Sequence, residues 1–390
     1  MSHSDSKADL VIVGAGMVGL AIAYEAARTG KRVVVLERDH VGAGAAGVAA
    51  GMLAPASELE NEDRPLLEFA LTSCRLYPEF VRAVELDSGL PCQYRTEGTL
   101  LVALHRDHLE ELERLARLQA TLGLNAHWLT AAELQDREPT LSSRTVGGLF
   151  AEDDRQVNPR ALLRALVAAI QRRGGAIVTG ARDVRLVTHG SALVGVEYVR
   201  EGVTTTVEAR NTVVATGAFA GELLSGLGLG TFPLRPVKGQ ILRLRGKPLL
   251  QHVVRTAEVY LVPRIDGELV VGATSEEQGF DSRMTAGAVL DLLQEAWRVL
   301  PGIAELELAE LGAGFRPAFR DNLPVIGPGP LDGLYLAVGH YRHGVMLAPV
   351  TARLLIETME SGKLPPALLP FQLDRFGMPS PQSAEGALSV

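Results

Sequence analysis

The hydrophobic and polar positions at the start of the chain follow a strand, helix, strand pattern. Residues 9–13 and 32–36 are short apolar runs, and residues 17–29 between them have the apolar spacing of a helix. Strands that are apolar on both faces are typical of a parallel sheet covered by helices on both sides. The opening of the chain therefore predicts a β-α-β unit of a doubly wound α/β domain.

Later segments extend this sheet. A helix is predicted over residues 159–173, with Asn158 as its N-cap and Pro159 at its first position. The runs at 176–178 with 184–187 and at 212–215 predict buried strands.

The end of the chain returns to the same pattern. Residues 333–338 predict one more buried strand, followed by a turn and a helix over 344–360. From Pro365 onward no sustained periodicity is present, which predicts an extended or disordered segment.

Two intervening regions have a different pattern. The first holds a predicted charged helix at 107–122 and a polar stretch at 130–145. The second, residues 233–311, alternates apolar and polar positions, which is typical of an antiparallel sheet with one solvated face. Together they predict a second domain that is discontinuous in sequence.

Composition narrows the possible functions. Of the 390 residues, 47% are hydrophobic and 22% are charged, and these proportions are typical of a folded globular protein. The net charge of −8 argues against a nucleic-acid partner, and two cysteines, Cys74 and Cys92, provide neither a disulfide framework nor a metal site. Neither a signal peptide nor a ~20-residue apolar span is recognised, so we expect a cytoplasmic protein without a membrane partner.

A dinucleotide-binding signature lies between the first strand and the first helix. Gly14, Gly16 and Gly19 form G-x-G-x-x-G, where the glycines permit a tight turn, a close approach of the pyrophosphate and tight helix packing. Glu37, at the end of the second strand, is suited to accept a hydrogen bond from a ribose hydroxyl and disfavours a 2′-phosphate. The signature occurs once, which predicts one bound dinucleotide, FAD or NAD.

A run of small residues follows. Eight of the nine residues from 42 to 50 are Gly or Ala, so backbone can lie close against a large planar ligand.

These segments together carry a resemblance. The glycine signature, Glu37, the sequence Ala-Gly-Met-Leu-Ala-Pro at 50–55, the run 212–217, Gly-Phe-Arg-Pro at 314–317 and Gly-His-Tyr-Arg-His-Gly at 339–344 resemble the D-amino-acid oxidase superfamily of flavoproteins. Within it, the chain is most similar to the glycine oxidases associated with thiamine biosynthesis, over residues 8–360.

The resemblance implies a noncovalent FAD, because neither cysteine lies near the carboxy-terminal motif where relatives bond the flavin. It implies a fold of α/β class, α+β in two domains: a Rossmann-like FAD-binding domain (1–85, 150–232, 312–370) with a discontinuous antiparallel-sheet substrate domain (86–149, 233–311) and a tail (371–390). The expected cofactor-binding residues are Gly14, Gly16, Met17, Val18, Gly19, Glu37, Arg38, Ala45, Ala46, Ala50, Gly51, Met52, Val184, Gly217, His340, Tyr341, Arg342, His343, Gly344, Val345 and Met346.

The implied reaction is oxidation of a small amino acid or amine by FAD, with molecular oxygen reduced to hydrogen peroxide. Arg316 is the expected clamp on the substrate carboxylate, with Arg342 as a second clamp and Tyr260 as a hydroxyl donor. No side chain is expected to act as the catalytic base and no metal is expected, since His340 and His343 lack further ligands and hydride transfer from a neutral amine needs no base.

Two alternatives stay open at this point. One is a D-amino-acid or sarcosine-type oxidase or dehydrogenase with another electron acceptor, because the clamp does not determine the side-chain pocket. The other is a noncatalytic FAD-binding module. The family also suggests a homo-oligomer, a tetramer.

Overall fold

The computed structural model describes residues 7–58, 64–225, 227 and 232–378. The helices are α1 Met17–Arg28, α2 Ala45–Val48, α3 Arg64–Ser88, α4 Arg106–Thr121, α5 Ala131–Arg137, α6 Pro159–Arg172, α7 Ala220–Ser225, α8 Ala286–Val299 and α9 Ala348–Ser361. The strands are β1 Lys7–Val13, β2 Val33–Glu37, β3 Met52–Leu53, β4 Thr99–Ala103, β5 Ala126–Thr130, β6 Gly147–Ala151, β7 Arg155–Gln156, β8 Ala176–Thr179, β9 Arg182–His189, β10 Ala192–Arg200, β11 Val203–Val214, β12 Arg235–Arg245, β13 Val253–Arg255, β14 Tyr260–Pro263, β15 Glu268–Gly272, β16 Glu307–Ala318, β17 Val325–Pro328 and β18 Leu334–Val338.

The first sheet is the predicted α/β sheet. Its order is β17-β18-β11-β1-β2-β8, and the pairs from β18 to β8 are parallel. Helices α1, α6 and α9 pack together over it in one large apolar core that contains Leu20, Leu162 and Leu355. Because β1 lies between β2 and β11, the carboxyl ends of these strands meet at one edge.

The second sheet has the order β16-β12-β15-β14-β13-β4-β6-β5. Its neighbours are antiparallel except for β13 and β4, so the strand-rich interpretation of 233–311 is confirmed. Helix α8, which was not predicted, covers one face with Leu292 and Ala296 buried. The fold class is therefore confirmed as mixed α/β with a Rossmann-like sheet and an antiparallel sheet.

Three predicted elements differ in detail. Residues 184–187 belong to β9, a partly exposed strand of an antiparallel hairpin with β10, and not to a buried strand. The last long helix begins at Ala348 and not at 344, because residues 344–347 form turns, with the amide of Leu347 donating to the carbonyl of His343.

The third difference concerns the end of the chain. Residues Pro366–Phe371 and Leu373–Phe376 form 3-10 helices, and Leu368, Phe371 and Leu373 are buried. The prediction of an extended or disordered segment is therefore wrong for these residues; the part of the predicted tail from 379 onward lies outside the described residues. Burial of apolar side chains explains the order.

The domain boundaries stay a prediction. Two of them, 149/150 and 311/312, fall within β6 and β16 of the second sheet. Of the helices that the structure describes, none combines the length and the apolar character that a membrane crossing requires.

The start of α6 offers a local test of stability. The Asn158 side chain accepts hydrogen bonds from the amides of Arg160 and Ala161. We expect Asn158→Ala to lower the free energy of unfolding by about 1 kcal/mol, measured by urea denaturation. Asn158→Ser keeps an acceptor and is the control, since both variants lose the bond from Asn158 to Gln93. Equal losses in the two variants would contradict the capping role.

Candidate active site between the two sheets

A cavity of about 860 Å³ lies between the two sheets. One wall consists of the carboxyl edge of the first sheet, and the opposite wall consists of strands β12, β14, β15 and β16. The small-residue run lines the cavity between these walls with residues 43–46 and 48–50, and Gly51 and Met52 continue this lining.

The glycine signature forms the narrowest part of the first wall. Gly14 has φ +109°, and a Cβ there would lie 2.5 Å from the carbonyl oxygen of Ala215 on the neighbouring strand. A Cβ on Gly19 would overlap the carbonyl oxygen of Gly14. Gly16 is different, because a Cβ there would meet nothing within 4 Å and Gly16 lines the cavity. Of the three glycines, Gly16 alone both lines the cavity and has open space where a Cβ would stand.

Glu37 organises the same edge. Its Oε2 accepts a hydrogen bond of 2.9 Å from the amide of Ala15, and its Oε1 accepts one of 3.0 Å from the amide of Asp39. The carboxylate also lines the cavity, so its remaining acceptor capacity is available to a ligand hydroxyl.

Most of the predicted site residues share this cavity. Those that line it are Gly14, Gly16, Met17, Val18, Glu37, Arg38, Ala45, Ala46, Ala50, Gly51, Met52, Val184, Gly217, Tyr260, Arg316, His340, Tyr341, Arg342, Gly344 and Val345. Gly19, His343 and Met346 do not line it: Gly19 packs on Gly14, and His343 and Met346 are buried behind the wall.

Arg316 and Tyr260 both lie over glycines of the second sheet. The guanidinium of Arg316 lies against Gly239, where a Cβ would be 2.5 Å from Nη2, and Nη1 donates a 3.0 Å bond to the carbonyl of Thr274. The ring of Tyr260 occupies the space of a side chain at Gly272, its partner on β15. Burial raises the pKa of Tyr260, so its hydroxyl keeps its proton and can donate.

Arg342 occupies the turn after β18. Its guanidinium lies 5.1 Å from the ring centroid of Tyr341, which has φ +47°.

Glu58 and Arg255 are among the charged residues of the cavity wall that the sequence did not predict; the others are Asp39, Arg182, Asp183, Glu222 and Glu258. Burial opposes ionisation of Glu58. His343, whose Nδ1 lies 3.6 Å from the carboxylate, and the charges of Arg255 and Arg342 outweigh burial and lower the pKa of the carboxyl. Nη1 of Arg255 donates a 2.6 Å bond to the carbonyl of Ser57. No local pattern marks either residue, because the contact joins segments about 200 positions apart.

His340 is a poor base in this setting. It is buried, its Nε2 lies 3.1 Å from the hydroxyl of Thr351, and burial lowers its pKa to about 3, assisted by the charge of His343. The neutral imidazole therefore does not accept a proton at neutral pH. Within the described residues, no group of three or more His, Cys, Asp or Glu side chains is arranged to hold a metal ion.

The residues present fit a dinucleotide with a large planar ring. The tight glycine turn precedes α1, the carboxylate of Glu37 ends β2, and small side chains line the middle of the cavity. The Arg316 and Tyr260 pair lies on the opposite wall, where a small carboxylate could be held against that ring.

Comparison with known proteins agrees with this geometry. Residues 9–358 match the model of the DAO family, described as FAD dependent oxidoreductase. The chain belongs to this family of FAD-dependent oxidoreductases.

Within this family, the chain is similar to glycine oxidases and to ThiO/ThiG proteins. The chain is 33% identical to the glycine oxidase of Geobacillus kaustophilus, over 96% of this chain and 98% of that protein. A crystal structure of glycine oxidase from the same organism superimposes with a TM-score of 0.86, covering 95% of this chain and 99% of the other. The bifunctional protein ThiO/ThiG of Trichormus variabilis is 37% identical over 94% of this chain, which spans 55% of that longer relative.

The glycine turn yields a paired prediction. Gly16 has φ −78°, which alanine adopts freely, so Gly16→Ala should leave the stability of the FAD-free protein unchanged or slightly raised while weakening FAD binding roughly tenfold or more. Gly19→Ala should instead destabilise the FAD-free protein, because its methyl overlaps backbone. Thermal unfolding and FAD titration of the FAD-free protein measure both effects. Wild-type FAD affinity in Gly16→Ala would contradict this role.

A second prediction concerns pH. Asp154 is buried, and its Oδ1 accepts a hydrogen bond of 3.3 Å from the amide of Ala56, near the segment that carries Glu58. Burial raises the pKa of Asp154 to about 7, and the Ser57 and Thr99 hydroxyls and the Ala56 amide offset this rise only in part. Its contribution to stability is full below pH 4 and is lost as pH rises through 7, because the folded form holds the proton more tightly than the unfolded form.

Asp154→Asn removes this titration. We expect its free energy of unfolding, relative to wild type, to increase between pH 4 and pH 8 by up to about 4 kcal/mol. Denaturant titrations at several pH values measure the difference, in which the titrations of other groups cancel. A pH-independent difference would show that Asp154 ionises normally.

Proposed function

We propose that the chain catalyses oxidative deamination of glycine and other small amines or D-amino acids. The products are the corresponding oxoacid (glyoxylate from glycine), ammonia and hydrogen peroxide, with molecular oxygen as the electron acceptor. The observation that carries the proposal is the placement of Arg316 and Tyr260 in one cavity with the dinucleotide-binding edge. The similarity to glycine oxidases over nearly their full length supports it.

Arg316 is suited to bind the substrate carboxylate. One of its Nη1 hydrogens is used by the carbonyl of Thr274, which orients the guanidinium and leaves further donors for two parallel, charge-assisted bonds. The Tyr260 hydroxyl adds a donor. Binding at these groups fixes one end of the amino acid, and positioning then accounts for most of the catalysis that the protein supplies.

The residues at the glycine turn, Glu37 and the small-residue run would hold FAD, which when bound would supply the hydride acceptor, N5 of its isoalloxazine ring. His340 stays neutral and Glu58 is held ionised at a lowered pKa, so neither is matched to take a proton from an ammonium group at neutral pH. The residues therefore favour direct use of the neutral amine, whose nitrogen lone pair assists departure of hydride from the α-carbon.

We also propose that the imine product feeds thiazole synthesis for thiamine, and that the protein is a cytoplasmic homotetramer. The first point is supported by the similarity to ThiO/ThiG proteins and to glycine oxidases. The homotetramer is supported by the resemblance to the same family. The cytoplasmic location is supported by the two free cysteines, Cys74 and Cys92, which suit a reducing compartment. Light scattering of the purified protein tests the tetramer.

The activity itself is tested with an oxygen electrode and a peroxide assay. We expect the purified FAD-loaded protein to consume oxygen and release peroxide with glycine, sarcosine, D-alanine and D-proline, with the smallest substrates favoured. Anaerobic bleaching of the flavin by the same amines without oxygen consumption would instead define a dehydrogenase. No bleaching by any of them would overturn the proposal.

The role of Arg316 is tested by substitution. Arg316→Ala should reduce kcat/KM for glycine roughly 10²-fold, about 3 kcal/mol, through a raised KM, because two charge-assisted bonds are lost. Ethylamine, which has no carboxylate, is the matched control and should lose little. Rapid anaerobic flavin reduction with an unchanged KM for glycine would exclude Arg316 as the clamp.

A further inference from the structure

Three arginines lie behind the small-residue run, on the side away from the cavity. Arg160 donates to the carbonyl of Gly47 at 2.8 Å, and Nη2 of Arg243 lies 3.4 Å from the same oxygen. Arg264 donates to the carbonyl of Ala50. Ala50 lines the cavity and the three arginines do not, so the Ala50 peptide lies between Arg264 and the cavity.

Two of these cations have carboxylate partners. Arg160 forms a bidentate pair with Glu310, at 2.8 and 2.5 Å. Arg243, whose side chain is 1% exposed, donates to Glu268 at 2.6 Å. Their charges are therefore largely compensated.

Arg264 has no such partner among the residues that the structure describes. Its hydrogen-bond acceptors are the carbonyl of Ala50, the carbonyl of Val157 at 3.2 Å and the side-chain oxygen of Gln156 at 3.1 Å, and all are neutral. The residue is 3% exposed, and its Nε has no acceptor.

The nearby acidic residues do not neutralise the charge of Arg264. Glu268 is already bonded to Arg243, and Asp266 is exposed. Burial, with the charge of Arg243, lowers the pKa of Arg264 to about 10, so the guanidinium is still charged at neutral pH. A buried cation bonded only to neutral groups is costly, which calls for a compensating anion nearby.

We propose that Arg264 is a positioning residue whose uncompensated charge, acting through the Ala50 peptide, stabilises the reduced form of the bound FAD relative to the oxidised form. In the reaction the neutral amine gives up a hydride ion, which carries two electrons and one proton, and becomes an iminium cation. Bound FAD, as the acceptor of that hydride, would gain one negative charge. Both electrons then pass to oxygen, which takes up two protons, one from the reduced cofactor and one from solvent, to form hydrogen peroxide. A fixed positive charge behind the cavity wall therefore favours the reduced state without any rearrangement.

The inference rests on FAD binding and not on the identity of the amine. It is tested by measuring the midpoint potential of bound FAD with a reference dye, using xanthine and xanthine oxidase as the reductant and no amine substrate. Failure of this test is therefore distinguishable from failure of the proposed activity.

We expect Arg264→Gln to lower the preference for reduced over oxidised FAD roughly tenfold, a midpoint shift of about 30 mV to more negative values. The affinity for oxidised FAD should change much less. Arg264→Lys keeps the charge and should retain most of the wild-type potential.

The double variant Arg160→Gln/Glu310→Gln is the matched control. It also removes a guanidinium bonded to the run, but it removes the carboxylate partner as well, so the net charge is unchanged and the potential should stay near that of the wild type. Should Arg264→Gln fail to fold, Gln156→Glu introduces a carboxylate beside the intact Arg264 and should shift the potential in the same negative direction. An unchanged potential in both Arg264→Gln and Gln156→Glu, or an equal shift in the charge-neutral Arg160→Gln/Glu310→Gln variant, would overturn the proposal.

Discussion

The close approach of three backbone segments at Gly14, Gly19 and Ala215 is the constraint on which the rest of the site depends. Side chains at either glycine would overlap backbone, so β1, α1 and the end of β11 can meet only because both positions lack a Cβ. Their contact brings the turn at Gly16 to the carboxyl edge of the first sheet, where a pyrophosphate can approach it. Packing of the α/β core and formation of the cofactor-binding turn therefore both depend on the absence of a side chain at Gly14 and Gly19.

The second sheet repeats this use of glycine for another purpose. Gly239 and Gly272 leave space above β12 and β15, and Arg316 and Tyr260 fill it. Larger residues there would displace the two groups that we assign to the substrate carboxylate. The small-residue run completes the arrangement, since it lies between the cavity and three arginines that do not line it, of which Arg243 and Arg264 are buried. Because the run has only small side chains, little more than backbone lies between the arginines and the cavity. The fixed charge of an arginine can therefore act on a bound ligand at short range.

Local chemistry explains which parts could be predicted from the sequence. The β1, α1 and β2 unit and the Asn158 cap depend on neighbouring residues only, and both are present in the structure. Helix α8 also has a local signal, Thr285 as N-cap before periodic apolar residues, and was overlooked. Glu58, Arg255 and Arg264 acquire their roles from contacts between segments far apart in sequence, which no periodicity reveals. The ordered residues after Pro365 are explained in the same way, by burial of Leu368 and Phe371 against the core.

A crystal structure of the FAD-loaded protein with glycine, grown without oxygen, tests the central claim most directly. The account predicts the pyrophosphate at the turn formed by Gly14 and Gly16, and the glycine carboxylate bonded to Arg316 and Tyr260 with its α-carbon facing the flavin. A carboxylate bound away from Arg316, or a flavin ring outside the space between the small-residue run and the second sheet, would contradict it.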